Sequence, residues 1–262
     1  MSDNVTFTVD ERGVATVMID RPRVLNAVDR ATHERLNEIW LEIESDRSIR
    51  AVVVTGAGEK AFCTGADMGA DTTEKTGLEY WADGDSNGFG GLSLRSTLDI
   101  PVIARVNGYA LGGGMEMVLG ADIVIAAEHA QLGLPEPRVA RLPMDGGITL
   151  LVRRVPHTQA MGLLLTGRRA TASELHRMGL VNEVVAMEDL DAAVDRWIEQ
   201  ILACAPTSVR AIKQTVSRTA HLTAAEARVA RLPALMAALD TEDEAEGVRA
   251  FQEKRAPRWV GR

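Results

Sequence analysis

The sequence predicts an α/β fold of stacked ββα-like units, and three observations predict it. Residues 51–55, Val102–Val106 and Ile123–Ala127 are continuous apolar runs of strand length, as buried strands are. Glycine-bearing turns follow two of them at once, Gly56-Ala57-Gly58 and Asn107-Gly108. Helical periodicity appears between and after these runs, and strands alternating with helices define an α/β architecture.

The elements follow in order. Val5–Val9 and Val14–Ile19 are β-rich runs around the turn Asp10-Glu11-Arg12-Gly13 and form a hairpin. Arg21-Pro22-Arg23 breaks the pattern. Residues 29–43 then carry Leu36, Ile39, Trp40 and Ile43 at helical spacing. The polar, glycine-containing stretch 72–91 has no clear period and is left unassigned. After the run Gly112-Gly113-Gly114, residues 115–119 are expected to be helical. From about Thr171 the character changes: Thr171…Glu174, Thr223…Glu226 and Thr241…Glu244 are three capping boxes ahead of helical stretches. Residues 180–185 form one more strand, and 189–202 a long amphipathic helix containing Trp197. The division expected is a core over residues 1–200 and a helical region over 201–262. The helical region either covers its own sheet or packs on a partner subunit.

Composition limits the function. A chain of 262 residues, 46% hydrophobic and 25% charged, is long enough for a large buried core and is not disordered. A net charge of −8 argues against broad nucleic-acid binding. Met1-Ser2-Asp3-Asn4 reads as neither a secretory signal nor a transit peptide, and no apolar stretch would span a bilayer. A cytoplasmic protein without membrane or nucleic-acid partners is expected. Cys63 and Cys204 cannot make a disulfide framework or a thiolate metal site, and read as small semi-buried residues. Lys60, Lys75, Lys213 and Lys254 are the only lysines, so a ligand phosphate is expected to meet arginine.

The chemistry gathers at two glycine-bearing turns after buried strands, 61–67 and 108–114. Side-chain-poor backbone lets a ligand approach N–H groups, and a helix N-terminus adds unpaired donors. Two such turns converging make an oxyanion hole; either alone also reads as a tight connection. Glu116, in the first turn of the helix after the glycines, suits the helix dipole and equally suits catalysis. Glu136, boxed by Leu134, Pro135 and Pro137, is placed for a raised pKa and proton donation.

Together Asp20-Arg21-Pro22-Arg23-Val24-Leu25-Asn26-Ala27, Ala61-Phe62-Cys63-Thr64-Gly65-Ala66-Asp67, the run from Pro101 to Glu116, Leu134-Pro135-Glu136 and the tail ending in Pro257-Arg258-Trp259 resemble the ordered signature of the enoyl-CoA hydratase (crotonase) superfamily. The resemblance spans nearly the whole chain. It implies a crotonase-type spiral of ββα units with a helical C-terminal trimerisation region, and a homotrimer or dimer of trimers. It implies that the N–H groups of Ala66 and Gly113 bind the thioester oxygen, and that the adjacent Gly65 and Gly112 contact the coenzyme A thioester. Glu116 and Glu136 align with the two catalytic glutamates, Glu116 as general base and Glu136 as general acid. Arg23, Val24, Leu25, Ala61, Thr64, Asp67, Met68 and Pro135 would line the coenzyme A and substrate path, and Phe251 and Lys254 would reach coenzyme A across a subunit boundary. The implied reaction is reversible hydration of a 2-trans-enoyl-CoA with no metal or cofactor, coenzyme A being part of the substrate.

Leu134 stands where hydratases often carry glutamine, and Ala140 and Met144 where they carry glycines. An isomerase, or a dehydratase of a specialised acyl-CoA such as a carnitinyl thioester, is therefore the nearest alternative. Asp145 is either an added polar group in that pocket or an N-cap before Gly146, and the cap is the expectation. A dinucleotide fingerprint fails, because Met117 and Ala61 occupy the third glycine position of the two candidate runs. An RNA-binding homologue would rest on Arg153-Arg154 and Arg168-Arg169, short basic pairs in an acidic chain.

Overall fold

The computed structural model describes residues 4–69, 76–82 and 84–261. The hairpin forms as expected, β1 (Val5–Val9) antiparallel to β2 (Val14–Ile19). The Asp10 carboxylate fastens its turn by accepting the N–H groups of Arg12 and Val14, each at 2.9 Å. Residues Pro22–Val24 make a 3-10 turn, and α1 (Arg30–Ser45) starts at Asp29, whose side chain accepts Thr32 N–H at 2.8 Å. Then come β3 (Ala51–Gly56), β4 (Ala61–Cys63), α2 (Gly77–Ala82), β5 (Val102–Val106), β6 (Tyr109–Leu111), α3 (Gly113–Gly120), β7 (Ile123–Ala127), β8 (Gln131–Gly133), α4 (Gly147–Arg154) and α5 (His157–Thr166). They are followed by β9 (Arg169–Thr171), α6 (Ala172–Arg177), β10 (Glu183–Val185), α7 (Leu190–Leu202), α8 (Pro206–Thr219), α9 (Ala224–Val229), α10 (Pro233–Ala238) and α11 (Glu242–Glu253).

Two sheets result. The larger has the order β1-β2-β3-β5-β7-β10 and is parallel beyond its first hairpin. The smaller has the order β4-β6-β8-β9, with β4, β6 and β8 parallel and β9 antiparallel at its edge. Each of β3, β5 and β7 lies in the large sheet and is followed within a few residues by β4, β6 or β8 in the small one, then by a helix. The chain is therefore a spiral of ββα units. Asn107 holds the corner where it changes sheet: its buried amide donates to the carbonyls of Gly56 at 2.8 Å, Gly58 at 2.6 Å and Ala61 at 3.1 Å. Asn26 does the same from the other side, donating to Ala57 at 3.0 Å and Ala61 at 2.7 Å.

The large sheet is covered on both faces, which explains its unbroken apolar runs. Alternate residues such as Val52, Val54, Ala104, Val106, Val124 and Ala126 join Leu36, Ile39, Trp40 and Ile43 of α1 in the main core. Their neighbours Val53, Ile103, Ile125 and Ala127 face Leu190, Ala193, Val194 and Ile198 of α7. Trp40, fully buried, donates its indole N–H to Gly90 O at 2.8 Å, so the largest side chain of α1 leaves no orphan donor.

Several expectations need correction. The helix after the glycine run starts at Gly113 rather than 115, so the glycines form its first turn. The strand expected over 180–185 is confined to Glu183–Val185, while Leu180 and Val181 pack into the core. The boxes at Thr171 and Thr223 are complete, but Thr241 makes only the forward bond, from Glu244 N–H at 3.2 Å. Residue 200 falls inside the last turn of α7, a helix that belongs to the sheet, so the all-helical part begins at α8. There Gln214 ties α8 to α10 through Ala234 N–H at 2.8 Å and to Asp99 at 2.5 Å. Of the unassigned stretch 72–91, the described part includes α2 and a 3-10 turn over Phe89–Gly91; residues 72–75 and 83 lie outside the described residues. Cys63 is buried as expected, whereas Cys204 is exposed. Among the described residues, no helix is long and apolar enough to cross a membrane.

Candidate active site

The small sheet builds the site. Its three parallel strands end side by side, and ligands of parallel sheets bind beyond the carboxyl ends of the strands. Cys63 lies opposite Ala110, and Leu111 opposite Gly133. Because those ends are in register, the next few residues of each strand meet: Gly65 and Ala66 after β4, Gly112 and Gly113 after β6, Pro135 and Glu136 after β8.

The turns approach closely enough to need glycine. A Cβ on Gly114 would stand 2.0 Å from the Cys63 carbonyl oxygen, and one on Gly65, at φ +94°, only 3.2 Å from the Gly113 nitrogen. The amide of Ala66 thus sits beside that of Gly113. Among the described residues neither N–H has a backbone acceptor, for identifiable reasons. Gly113 opens α3, and the first N–H groups of a helix have no intrahelical partner. Ala66 bridges Val28, but the bonds run from Val28 N–H to Gly65 O at 2.9 Å and from Asp67 N–H to Val28 O at 3.0 Å, passing over its own N–H. Two adjacent free donors at a helix N-terminus can hold an oxygen that gains negative charge.

Both glutamates border these donors. A Cβ on Gly112 would lie 3.0 Å from Glu136 Oε1. Glu116, one turn into α3 and 3% exposed, accepts the Gly147 N–H at the start of α4 at 2.9 Å through Oε1. Burial pushes the Glu116 carboxyl up to about 8; the Gly147 bond opposes the shift, and the charges of Asp145 and Glu136 reinforce it. Burial also raises Glu136, whose Oε2 is enclosed without a hydrogen-bond partner among the described residues. Two carboxyls raised by burial are suited to proton transfer, one taking a proton while the other gives one. The neighbouring Cys63 thiol is pushed up to about 12 by burial, against a bond from Gly65 N–H, and is no nucleophile there.

Residues 10–262 match the sequence profile of the enoyl-CoA hydratase/isomerase family. The chain belongs to that family. It is 38% identical to a Proteus mirabilis protein and 37% identical to a Shigella flexneri protein, both named carnitinyl-CoA dehydratase, over the full length of each pair. Among solved structures it resembles an enoyl-CoA hydratase from Bacillus anthracis, at 33% identity and a TM-score of 0.90 over 99% of this chain and 100% of that one. It also resembles one from Mycobacterium marinum, at 30% identity and 0.89 over both full lengths. The spiral of ββα units is thus the crotonase fold.

Within this crotonase, the other expected contact residues fall into three groups. Arg23, Val24, Leu25, Thr64, Asp67 and Met68 share one rim, where Thr64 Oγ1 donates to Leu25 O at 3.2 Å. Ala61 does not reach that rim: it is 1% exposed, and its carbonyl is occupied by the amides of Asn26 and Asn107. Phe251 and Lys254 lie on and just after α11. Among the described residues no hydrogen bond or ion pair joins them to the glycine turns, and Phe251 is 86% exposed.

Asp145 is not the N-cap expected of it. Gly146 takes that position, and the Asp145 carboxylate instead accepts the Tyr80 hydroxyl at 2.5 Å while burial raises its pKa. It is the added polar group, and its charge acts on Glu116 as that of Glu136 does. Tyr80 escaped sequence reading because α2 is short and set in a polar stretch; the only signal was an aromatic residue where few others occur. Leu134 is buried, its Cδ1 3.1 Å from a Cβ on Gly147, and so forms the apolar wall behind Glu116.

Proposed function

We propose that the protein is an acyl-CoA hydro-lyase that interconverts a 2-trans-enoyl-CoA and its 3-hydroxyacyl-CoA through a thioester enolate. The single observation that carries the reading is the approach of two amides without a backbone acceptor among the described residues, Ala66 and Gly113, to buried Glu116 and half-buried Glu136, whose pKa values are both raised. As water attacks the β-carbon, charge moves onto the thioester oxygen, where the amides act; losing such a donor costs about 10²–10³ in rate. Glu116 takes the proton from water once it is itself ionised, a form that gains population as the pH rises toward 8, and protonated Glu136 delivers one to the α-carbon, with the roles exchanged in dehydration. Water, a thioester and one proton in each direction balance the step, so it draws on no redox equivalent. Coenzyme A lies along 23–25 and 64–68, with Phe251 and Lys254 supplied by a neighbouring subunit of a trimer or paired trimers, in the cytoplasm.

A second reading is dehydration of a carnitinyl thioester. It is favoured by the names of the full-length relatives and by Asp145, which joins Glu116 and Glu136 to give three acids with no lysine or arginine ion pair among the described residues. A quaternary ammonium group on the acyl chain would offset that charge. The test is a substrate panel. Loss of enoyl absorbance with crotonyl-CoA supports hydration, and faster turnover of 4-trimethylammoniocrotonyl-CoA selects the second reading. Migration of a 3-enoyl bond without hydration of any 2-enoyl thioester would overturn both.

A further inference from the structure

We infer that Arg21 is a positioning residue for the oxyanion hole: by clamping Asp67 to the segment that carries Arg23, Val24 and Leu25, it fixes the Ala66 amide. The inference rests on the proposed function only in assigning Ala66 N–H to the thioester oxygen.

The turn that presents Ala66 is weakly held by its own sheet. β4 ends at Cys63, and the bridge from Ala66 runs to Val28, outside both sheets. Among the described residues, three further ties to the turn come from residues 21–29. Thr64 reaches Leu25 O, and the Val28 bridge uses the backbone on either side of Ala66. The Arg21 guanidinium completes the set. Its Nη2 pairs with Asp67 Oδ2 at 3.0 Å and with Asp29 Oδ2 at 2.9 Å, and its Nη1 donates to the Ala27 carbonyl. The Arg21 and Asp67 side chains are only 14% and 13% exposed, so this contact is shielded from the screening that weakens surface pairs. Asp67 Oδ1 meanwhile accepts Gly69 N–H at 3.1 Å, closing the turn from its far side.

One planar fork thus joins the residue after Ala66, the carbonyl before Val28 and the N-cap of α1. A lysine, with a single ammonium on a flexible stem, cannot reproduce that three-way span. The same segment offers Arg23, Val24 and Leu25 to the nucleotide end of the ligand, with Arg21 two residues away. That segment is closed by its own backbone, Val24 N–H and Asn26 N–H donating to Arg21 O at 3.1 and 3.0 Å, so the side-chain clamp acts on the Ala66 side. Misplacing a reacting group by about 1 Å can cost 10²-fold in rate, so loosening this clamp should appear at the chemical step.

The test uses the full-length protein with Arg21→Lys, Arg21→Gln and Asp67→Asn. Asp67→Asn keeps the side-chain volume and provides a folded variant if the arginine replacements do not fold. Turnover of an enoyl-CoA is expected to fall about 10- to 100-fold in kcat while KM changes less than about threefold. Arg21→Lys should not restore the rate, and the Arg21→Gln/Asp67→Asn double variant should lose no more than the worse single. The second readout is the enolate absorbance of bound acetoacetyl-CoA, which reports polarisation of the carbonyl directly and should diminish in each variant. Unchanged kcat and enolate absorbance in folded Asp67→Asn, or a loss confined to KM, would overturn the inference. If the parent hydrates no enoyl thioester yet the enolate signal appears and depends on Arg21, the proposed reaction fails and the clamp stands.

Discussion

The two sheets divide the work unequally. The large sheet has strands of five or six residues through most of its width, is covered by α1 on one face and α7 on the other, and contributes buried apolar side chains to a core on each face. The small sheet has four strands of three residues each, yet both amides and Glu136 lie just beyond its strand ends. The first is a scaffold whose stability is spread over many contacts. The second is a positioning device, in which register decides which backbone atoms meet. Damage to each should therefore register in a different measurement.

The largest effect is expected at the small sheet. Glu116→Gln or Glu136→Gln should lower turnover by about 10²–10⁴ with thioester binding little changed, measured as kcat alongside ligand affinity. A near-normal rate in either variant would remove that residue from the mechanism. Under the large sheet, Leu36→Ala should cost about 2–5 kcal/mol in denaturant unfolding, because a fully buried side chain of α1 leaves a cavity in the main core. Turnover per folded molecule should stay close to the parent's. A stable Leu36→Ala variant with lost catalysis would erase the division between the sheets.

The same division governed what could be read from the sequence. Both faces of the large sheet were legible, because its strands are long and its helices keep a strict period, as Leu36, Ile39, Trp40 and Ile43 do. The small sheet was legible only as glycine-bearing turns: strands of three residues such as 109–111 and 131–133 are too short for alternation to show. Glu116, Glu136, Ala66 and Gly113 were found through motif resemblance rather than periodicity. Asp145 was misread as a cap, since Asp before two glycines and a helix is a common cap pattern; its partner Tyr80 is 65 residues away and no local rule connects them. Arg21 stood inside a quoted motif, but its three partners are assembled only by the fold.

Two smaller effects sharpen the comparison. In the folded protein the Glu116 carboxyl is held near 8, while an unfolded glutamate ionises near 4.5, so the native state keeps a proton that the unfolded state releases between those values. This contribution to stability is full below about 4.5 and is lost as the pH rises through 8. Glu116→Gln should therefore raise the Tm relative to the parent above pH 8, with the two converging near pH 4.5; a difference independent of pH would show that Glu116 does not titrate in that window. Smallest of all, Asp191→Asn removes the pairing of Arg105 with an exposed carboxylate at 2.5 Å and should cost less than about 1 kcal/mol by thermal unfolding, with kcat unaltered.

The central claim is that amides from two separate turns grip a single ligand oxygen, and the most direct measurement is the carbonyl stretch of an enoyl-CoA labelled with carbon-13 at its thioester carbon, taken by infrared difference spectroscopy in the bound state. The stretch should move to lower frequency than in water. A bound carbonyl with the same frequency as the free thioester would contradict the account.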